Sequence, residues 1–400
     1  MNWTETNCYL KGIINRLDEL PDPVRVAAFD LDDTIIHRPK GKMANQKWKL
    51  LDNLIIDKIA DLVEKNYIII IFTNQGSMSL NKNFDKPKWR KIINDLVKIL
   101  MSRVKDGKYY FAIYVAKNYD LYRKPNIGLW EQMKIDLKEE FHLNSIRISK
   151  KSFFCGDAAG RKTASLFKKK LYPSSNKGDF SDIDLKFAHN IGIFFLTPED
   201  FLMENPPKME YELHGINPKK LLKQTIENEN NYVFEPRKKE IIVMVGLPGS
   251  GKSEFVKKYI LPYGYVHINQ DTCKTKTKCL IETKKTLENK KSVVIDNTNP
   301  DVLTRMTYTS LALEYGYKHI RAIVMDTNED IAKHMNNVRH VYSHGVIPKI
   351  NDITYNIFKK NYVRPQKSEH FDKIEYVNFV FDIDHLNDPV WKKIFMRLSE

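Results

Sequence analysis

Short β-branched runs alternate with amphipathic stretches through the first half of the chain. "VRVAAFDL" (24–31), "YIIIIFTNQG" (67–76), "YYFAIYVAK" (109–117), "KSFFCGD" (151–157) and "NIGIFFLTPEDFL" (190–202) read as buried strands. Between them, "WKLLDNLIIDKIADLVEK" (48–65), "WRKIINDLVKILMSRV" (89–104) and "IGLWEQMKIDLKEEF" (127–141) place apolar residues at helical spacing. The alternation predicts a parallel sheet covered by helices on both faces. Over residues 206–238 it gives way to a polar, Pro-punctuated stretch, read as a linker. A second alternation follows, with strands "EIIVMVGL" (240–247), "YVHIN" (265–269), "SVVIDNT" (292–298) and "HIRAIVMD" (319–326), each separated from the next by a helical segment. The expected fold class is α/β, in two domains that are each a parallel sheet flanked by helices. The boundaries are 1–205 and 239–400, joined by the linker.

Length agrees with two domains, since one hydrophobic core stops growing near about 250–300 residues and the chain has 400. A net charge of +15 leans toward a polyanionic partner. Lys-rich stretches such as "FKKKLYPSSNKG" (167–178) are candidates for holding one. The four cysteines, Cys8, Cys155, Cys273 and Cys279, form no CxxC pair and have no matching histidines, so neither zinc nor a disulfide framework is expected. The N-terminus lacks the regions of a signal peptide, and no apolar run approaches the ~20 residues that span a bilayer. The expected setting is intracellular and away from membranes.

In a parallel sheet, ligands bind beyond the carboxyl ends of the strands. Those ends supply Asp30 and Asp32, then Thr73, Asn74 and Gln75, then Arg123 and Lys124, then Asp157. Asp184 follows in "DFSDIDLKFA", where capping the next helix is the competing role. So many carboxylates need a cation, and an all-oxygen set suits magnesium. A lysine and a hydroxyl nearby suit a phosphoryl group, which one aspartate can attack while its neighbour protonates the leaving oxygen. "DLDDT", "FTNQ", the lysine of "YRKP" and "GDAAGR" together resemble the four motifs of the haloacid dehalogenase-like phosphatases. The resemblance implies Asp30 as nucleophile and Asp32 as general acid/base. It implies Thr73, Asn74 and Lys124 as phosphate holders, and Asp30, Asp32 and Asp157 at a magnesium site.

The second half opens with "GLPGSGKS", Gly246 to Ser253, between an apolar strand and a helix. Backbone N–H groups around Gly246, Gly249, Ser250 and Gly251 can surround phosphate oxygens, Lys252 reaches the β- and γ-phosphates, and Ser253 can ligate magnesium. A nucleoside triphosphate is the expected ligand. At later strand ends stand Asp271, a candidate base for an incoming hydroxyl, and Asp296, Asn297 and Asn299. "EDIAKHMNNVRHVYSHG" offers Arg339 and His340 on a helix that could close over the nucleotide.

Taken together, "DLYRKPNIGLW", "FFCGDAAGR", "LTPEDF", "YVHINQDT" and "VVIDNTNPD" resemble the eukaryotic-type polynucleotide kinase 3′-phosphatase family, over about residues 20 to 375. The resemblance implies removal of 3′-phosphates and transfer of the ATP γ-phosphate to 5′-hydroxyls at DNA breaks, with a DNA ligase acting next. A monomer in the nucleus, or in the cytoplasm if viral, is expected. RNA ends are open as an alternative substrate, and so is a phosphatase–kinase pair for a small-molecule alcohol. The basic charge argues against the latter, and intact catalytic positions argue against a non-catalytic adaptor. Three departures stand out. The phosphopeptide-binding module of vertebrate members is not expected here. Gln270 replaces an arginine of the family's "NRDT", and the segment around Arg339 matches only approximately.

Overall fold

The computed structural model describes residues 1–38, 48–82, 84–171, 177–227, 232–378 and 383–400. They form two units, Met1–His214 with Leu398–Glu400, and Gly215–Arg397. The division falls within the stretch read as a linker, part of which folds as the helix Pro218–Glu227. The middle of the Lys-rich stretch 167–178 lies outside the described residues.

The first unit contains β1 (Asn2–Glu5), β2 (Tyr9–Asn15), β3 (Arg25–Phe29), β4 (Ile36–His37), β5 (Lys49–Leu50), β6 (Tyr67–Asn74), β7 (Tyr110–Ala116), β8 (Phe153–Cys155) and β9 (Phe194–Leu196). Its main sheet runs β1-β2-β7-β6-β3-β8-β9. The five strands from β7 to β9 are parallel, while β2 pairs antiparallel with β7 and β1 with β2. Side chains alternate between faces. Ala27, Phe29, Ile69 and Ile71 pack under the helices Leu54–Glu64 and Lys86–Met101. Val26, Ala28, Ile68 and Ile70 pack under Gly128–Glu140 and Ile183–Ile191. Burying one such aliphatic side chain is worth about 1.5–3 kcal/mol, which is why these runs take the sheet's centre.

Two local readings differ from the sequence. The helix expected from Trp48 begins only at Leu54, because Lys49 and Leu50 pair with β4 and Asp52 Oδ1 accepts from the Leu54 N–H at 3.0 Å. The hairpin β1–β2 was not foreseen, since β1 is four residues long and mostly exposed.

The second unit contains β10 (Glu240–Val245), β11 (Val266–Ile268), β12 (Val293–Ile295), β13 (His319–Asp326) and β14 (Lys373–Asn378). They form a parallel sheet in the order β11-β12-β10-β13-β14. β14 also escaped the pattern, because polar and apolar residues share this edge strand and only Val377 is buried. The helix that opens at Lys252 runs as Lys252–Phe255, widens into a π-turn at Val256–Ile260 and tightens into a 3₁₀ turn at Leu261–Tyr263. Pro262 lies in that last turn and has no N–H to continue an α-helical ladder. Among the described residues, no helix is long and apolar enough to cross a membrane.

Candidate active sites

The register of the first sheet sets its active edge. Phe29 pairs with both Ile71 and Cys155, so the residues that follow β3 emerge beside the last residues of β6 and the end of β8. Asp30 is the first of them, and its N–H donates to the Cys155 carbonyl at 2.8 Å. Lys124, from the segment after β7, is buried between two carboxylates. Its Nζ donates to Asp30 Oδ1 and to Asp184 Oδ1, each at 2.6 Å. Asp184 also accepts from the Ala158 N–H at 3.0 Å, and Thr34 Oγ1 donates to Asp157 Oδ1 at 3.4 Å. Asp30, Asp157 and Asp184 each bring one carboxylate oxygen within 4.8 Å of the others.

Two buried carboxylates, Asp30 and Asp184, and the half-buried Asp157 share one ammonium here. Burial, reinforced by Asp184 and Asp32 and opposed by Lys124, pushes Asp30 up to about 7. Burial and the neighbouring carboxylates also push Asp157 well up. Burial alone would lower Lys124, but Asp184 and Asp30 outweigh it and hold the ammonium above its ordinary value. Negative charge in excess of its partners, offered entirely by oxygen donors, fits a hard divalent cation such as magnesium.

The structure decides between the roles open to several of these residues and moves others. Asp184 lies in the first turn of Ile183–Ile191 with Asp182 at the cap position, so its carboxylate serves the cluster and not the helix end. Asp32, read as a further metal ligand, stands outside the three-carboxylate group. Arg38 holds it by both oxygens at 2.5 and 2.7 Å, and Gln75 Nε2 donates to it at 2.6 Å. Asn74 was read as a phosphate holder, but its amide is engaged at both ends with the Lys124 backbone, at 3.0 and 3.1 Å. That engagement steadies the turn that presents the ammonium. Thr73 is buried and accepts from Gln75 Nε2 at 2.9 Å. Arg161, not singled out in the sequence, donates to Asp179, Glu199 and the Asp157 carbonyl at 2.8, 2.7 and 2.6 Å, which fixes the loop bearing Asp157.

In the second unit the loop Gly246–Ser253 joins β10 to the helix at Lys252. Gly249 has φ +75°, and a Cβ there would lie 2.5 Å from the Ala332 carbonyl oxygen, so only glycine fits against the helix Glu329–Tyr342. Lys252 Nζ is buried and donates to the carbonyls of Gly246 and Leu247 and to Ser250 Oγ, at 3.0, 2.7 and 3.3 Å. Burial brings this ammonium down to about 8, with Asp296 opposing and Arg339 adding to the shift. Arg339 is itself exposed on Glu329–Tyr342, and Ser253 is exposed at the helix start.

Asp296 directly follows β12 and is buried. His267 Nε2 lies 2.9 Å from Asp296 Oδ2, and the other oxygen, Oδ1, has no hydrogen-bond partner among the described residues. Asp271 is exposed in the short helix Gln270–Cys273. The cap is Asn269, which accepts from the Thr272 N–H at 2.8 Å, so Asp271 is not spent on capping. Asn297 Oδ1 accepts from the Gln270 N–H at 2.8 Å and ties the Asp271 turn to the end of β12. Asn299 Nδ2 donates to the Met244 carbonyl at 2.7 Å, which joins that turn to β10. His267 escaped the sequence reading because it sits inside a strand run.

Residues 25–202 match a family model described as polynucleotide kinase 3 phosphatase, and residues 241–349 match one described as an AAA domain. A protein of Acanthamoeba polyphaga mimivirus named "Putative bifunctional polynucleotide phosphatase/kinase" is 63% identical over 406 residues, covering 100% of this chain and 95% of its own. The "Bifunctional polynucleotide phosphatase/kinase" of Schizosaccharomyces pombe is 30% identical over 372 residues, covering 92% of this chain and 82% of its own. The "Polynucleotide 3'-phosphatase ZDP" of Arabidopsis thaliana is 31% identical over 202 residues, 48% of this chain and 26% of its own.

Proposed function

The chain belongs to the bifunctional polynucleotide phosphatase/kinase family, and on that premise we propose an enzyme that prepares broken DNA strands for sealing from two separate sites. It removes 3′-phosphates with the first unit and phosphorylates 5′-hydroxyls with the second. One observation carries this reading: a single chain joins the buried Asp30–Lys124–Asp184 constellation to a P-loop headed by Lys252.

In the first site, a carboxylate oxygen of Asp30 attacks the 3′-phosphorus and the strand's 3′-oxygen leaves with a proton from Asp32. Lys124 and the Thr73 hydroxyl hold the phosphoryl oxygens. Asp32 then takes a proton from water, whose oxygen attacks the aspartyl-phosphate to release inorganic phosphate and restore Asp30. Bound by Asp30, Asp157 and Asp184, magnesium would neutralise phosphoryl charge. In the second site, the loop 246–253 and Lys252 hold the ATP phosphates, and Ser253 would hold the accompanying magnesium. Asp271 takes the proton of the 5′-hydroxyl as its oxygen attacks the γ-phosphorus and ADP departs, while Arg339 supplies positive charge from its helix. A 3′-hydroxyl beside a 5′-phosphate is what a nucleic-acid ligase consumes, so a ligase is the enzyme class that acts next.

The test is a duplex with a one-nucleotide gap bearing 3′-phosphate and 5′-hydroxyl ends, given magnesium and labelled ATP. Wild type is expected to convert both ends, Asp30→Asn only the 5′ end, and Lys252→Ala only the 3′ end. Processing confined to the matching RNA would replace DNA by RNA as substrate. Processing of neither would overturn the assignment.

A further inference from the structure

Phe180 is completely exposed, at 100% of its accessible surface, and more so than any other large hydrophobic side chain among the described residues. Slack backbone is not the reason, because both of its neighbours are bonded to the loop that carries Asp157. The Asp179 N–H donates to the Arg161 carbonyl at 2.8 Å, and Asp179 Oδ2 accepts from the N–H groups of Ala159 and Arg161 at 3.2 and 3.0 Å. On the other side, the Ser181 carbonyl accepts from the Gly160 N–H at 3.1 Å. Gly178 passes so close to Arg161 that a Cβ would lie 1.9 Å from its carbonyl oxygen. The backbone is thus held tightly on both sides of a ring that stands in solvent.

That ring lines a cavity of about 280 Å³ together with Asp33 and Asp157, so it stands beside the phosphatase centre. Asp179 and Glu199 line the same cavity. Arg161 lines it too and pairs with both carboxylates, so the charges there are largely balanced and the exposed ring is left as a flat apolar surface. A nucleobase is neutral and planar, and it offers a π-face whatever its identity.

We propose that Phe180 is a stacking platform for the base of the nucleotide that bears the 3′-phosphate, and so makes the phosphatase selective for nucleotide ends over other phosphomonoesters. The proposal rests on the 3′-phosphatase reading above. Stacking on an aromatic side chain tolerates any base, and purines, with larger faces, bind better than pyrimidines.

The experiment compares wild type, Phe180→Ala and Phe180→Trp on two 3′-phosphorylated oligonucleotides, one ending in a normal nucleotide and one in an abasic residue. Phe180→Ala is expected to lower kcat/KM on the normal end by roughly tenfold, mostly through KM. It should leave the abasic end unchanged, and Phe180→Trp should retain wild-type selectivity. Equal losses on both ends, or no loss on the normal end, would overturn the stacking role. Retained turnover on the abasic end reports that the first unit of each variant is folded. Wild type inert on both ends would overturn the 3′-phosphatase reading, and this proposal with it.

Discussion

Arg38 grips Asp32 as a fork, Nε on one carboxylate oxygen and Nη2 on the other, at 2.5 and 2.7 Å. The same Nη2 donates to Gln75 Oε1 at 3.0 Å, so three side chains lock one another in place. In the proposed mechanism Asp32 passes protons, which works only at the right position, and misplacement by about 1 Å can cost on the order of 100-fold. Arg38→Ala is therefore expected to lower phosphatase kcat by about ten- to a hundredfold while kinase turnover stays at the wild-type level. Arg38→Lys should recover little, since an ammonium cannot make the two parallel bonds. Full phosphatase turnover in Arg38→Ala would show that Asp32 needs no such fork.

The cluster of Asp30, Asp157 and Asp184 predicts a pH dependence whose sign reports metal binding. Asp30 is raised from 3.8 to about 7 in the folded protein, so folding takes up protons between those values. The stabilising contribution is complete below the ordinary carboxylate range and is lost as pH rises through about 7. Without magnesium, the melting temperature of the first unit should fall as the pH is raised from about 5 to about 8. Saturating magnesium should flatten that slope by giving the carboxylates a counter-charge. Asp184→Asn should weaken the metal-free slope and raise the magnesium needed for half-maximal phosphatase activity by about tenfold or more. Melting curves across pH with magnesium or chelator decide it, and identical slopes in both would contradict the metal assignment.

How far these sites were legible follows from where each residue sits. Asp30, Lys124 and Asp157 stood out because each follows an apolar strand run, and parallel sheets gather such ends at one edge. Asp184 was a candidate with a rival role, since the first turn of a helix is also where carboxylates cap. Only the fold brings it to Lys124, 60 residues away in the chain. Arg38 directly follows the two-residue strand β4 with no periodic signal, and its partner Asp32 already had a chemical role that hid the pairing. Asn74 was placed correctly at its strand end, but a side-chain amide serves backbone or ligand equally well. β14 and β1 were missed because edge strands, half exposed and with polar residues among the apolar, lack the burial pattern that betrays central ones.

Nucleotide binding should carry a proton signature. In the free protein Lys252 is lowered from 10.5 to about 8 because its ammonium is buried. Polyphosphate beside it favours the charged form, so ATP binding near pH 9 should take up a proton fraction that is nearly absent near pH 7, where Lys252 is already charged. Titration calorimetry in buffers of different ionisation enthalpy measures this uptake. Lys252→Arg keeps the charge but does not titrate in this range, and its binding should show no uptake at either pH. Uptake independent of pH in wild type would mean that the lysine is charged throughout.

Arg305 ties the stability of the second unit to the shape of its site. It is fully buried and pairs with Glu369 through Nε and Nη2 at 2.7 and 2.9 Å. Its Nη1 donates to the carbonyls of Asn299 and Pro300 at 3.1 and 2.8 Å, in the turn that follows β12 and Asp296. Removing one partner of a buried pair leaves the other charge uncompensated, which costs about 3–5 kcal/mol. Arg305→Met should therefore lower the urea midpoint of the second unit sharply. Arg305→Met with Glu369→Met should recover much of that loss, because no lone charge is left behind. Kinase turnover should stay low even in the double variant, since the two carbonyls that shape the Asn299 turn have still lost their donor. Denaturation curves and kinase rates on the same preparations separate the two effects. A double variant that regains both stability and turnover would show that the Asn299 turn holds its shape without Arg305.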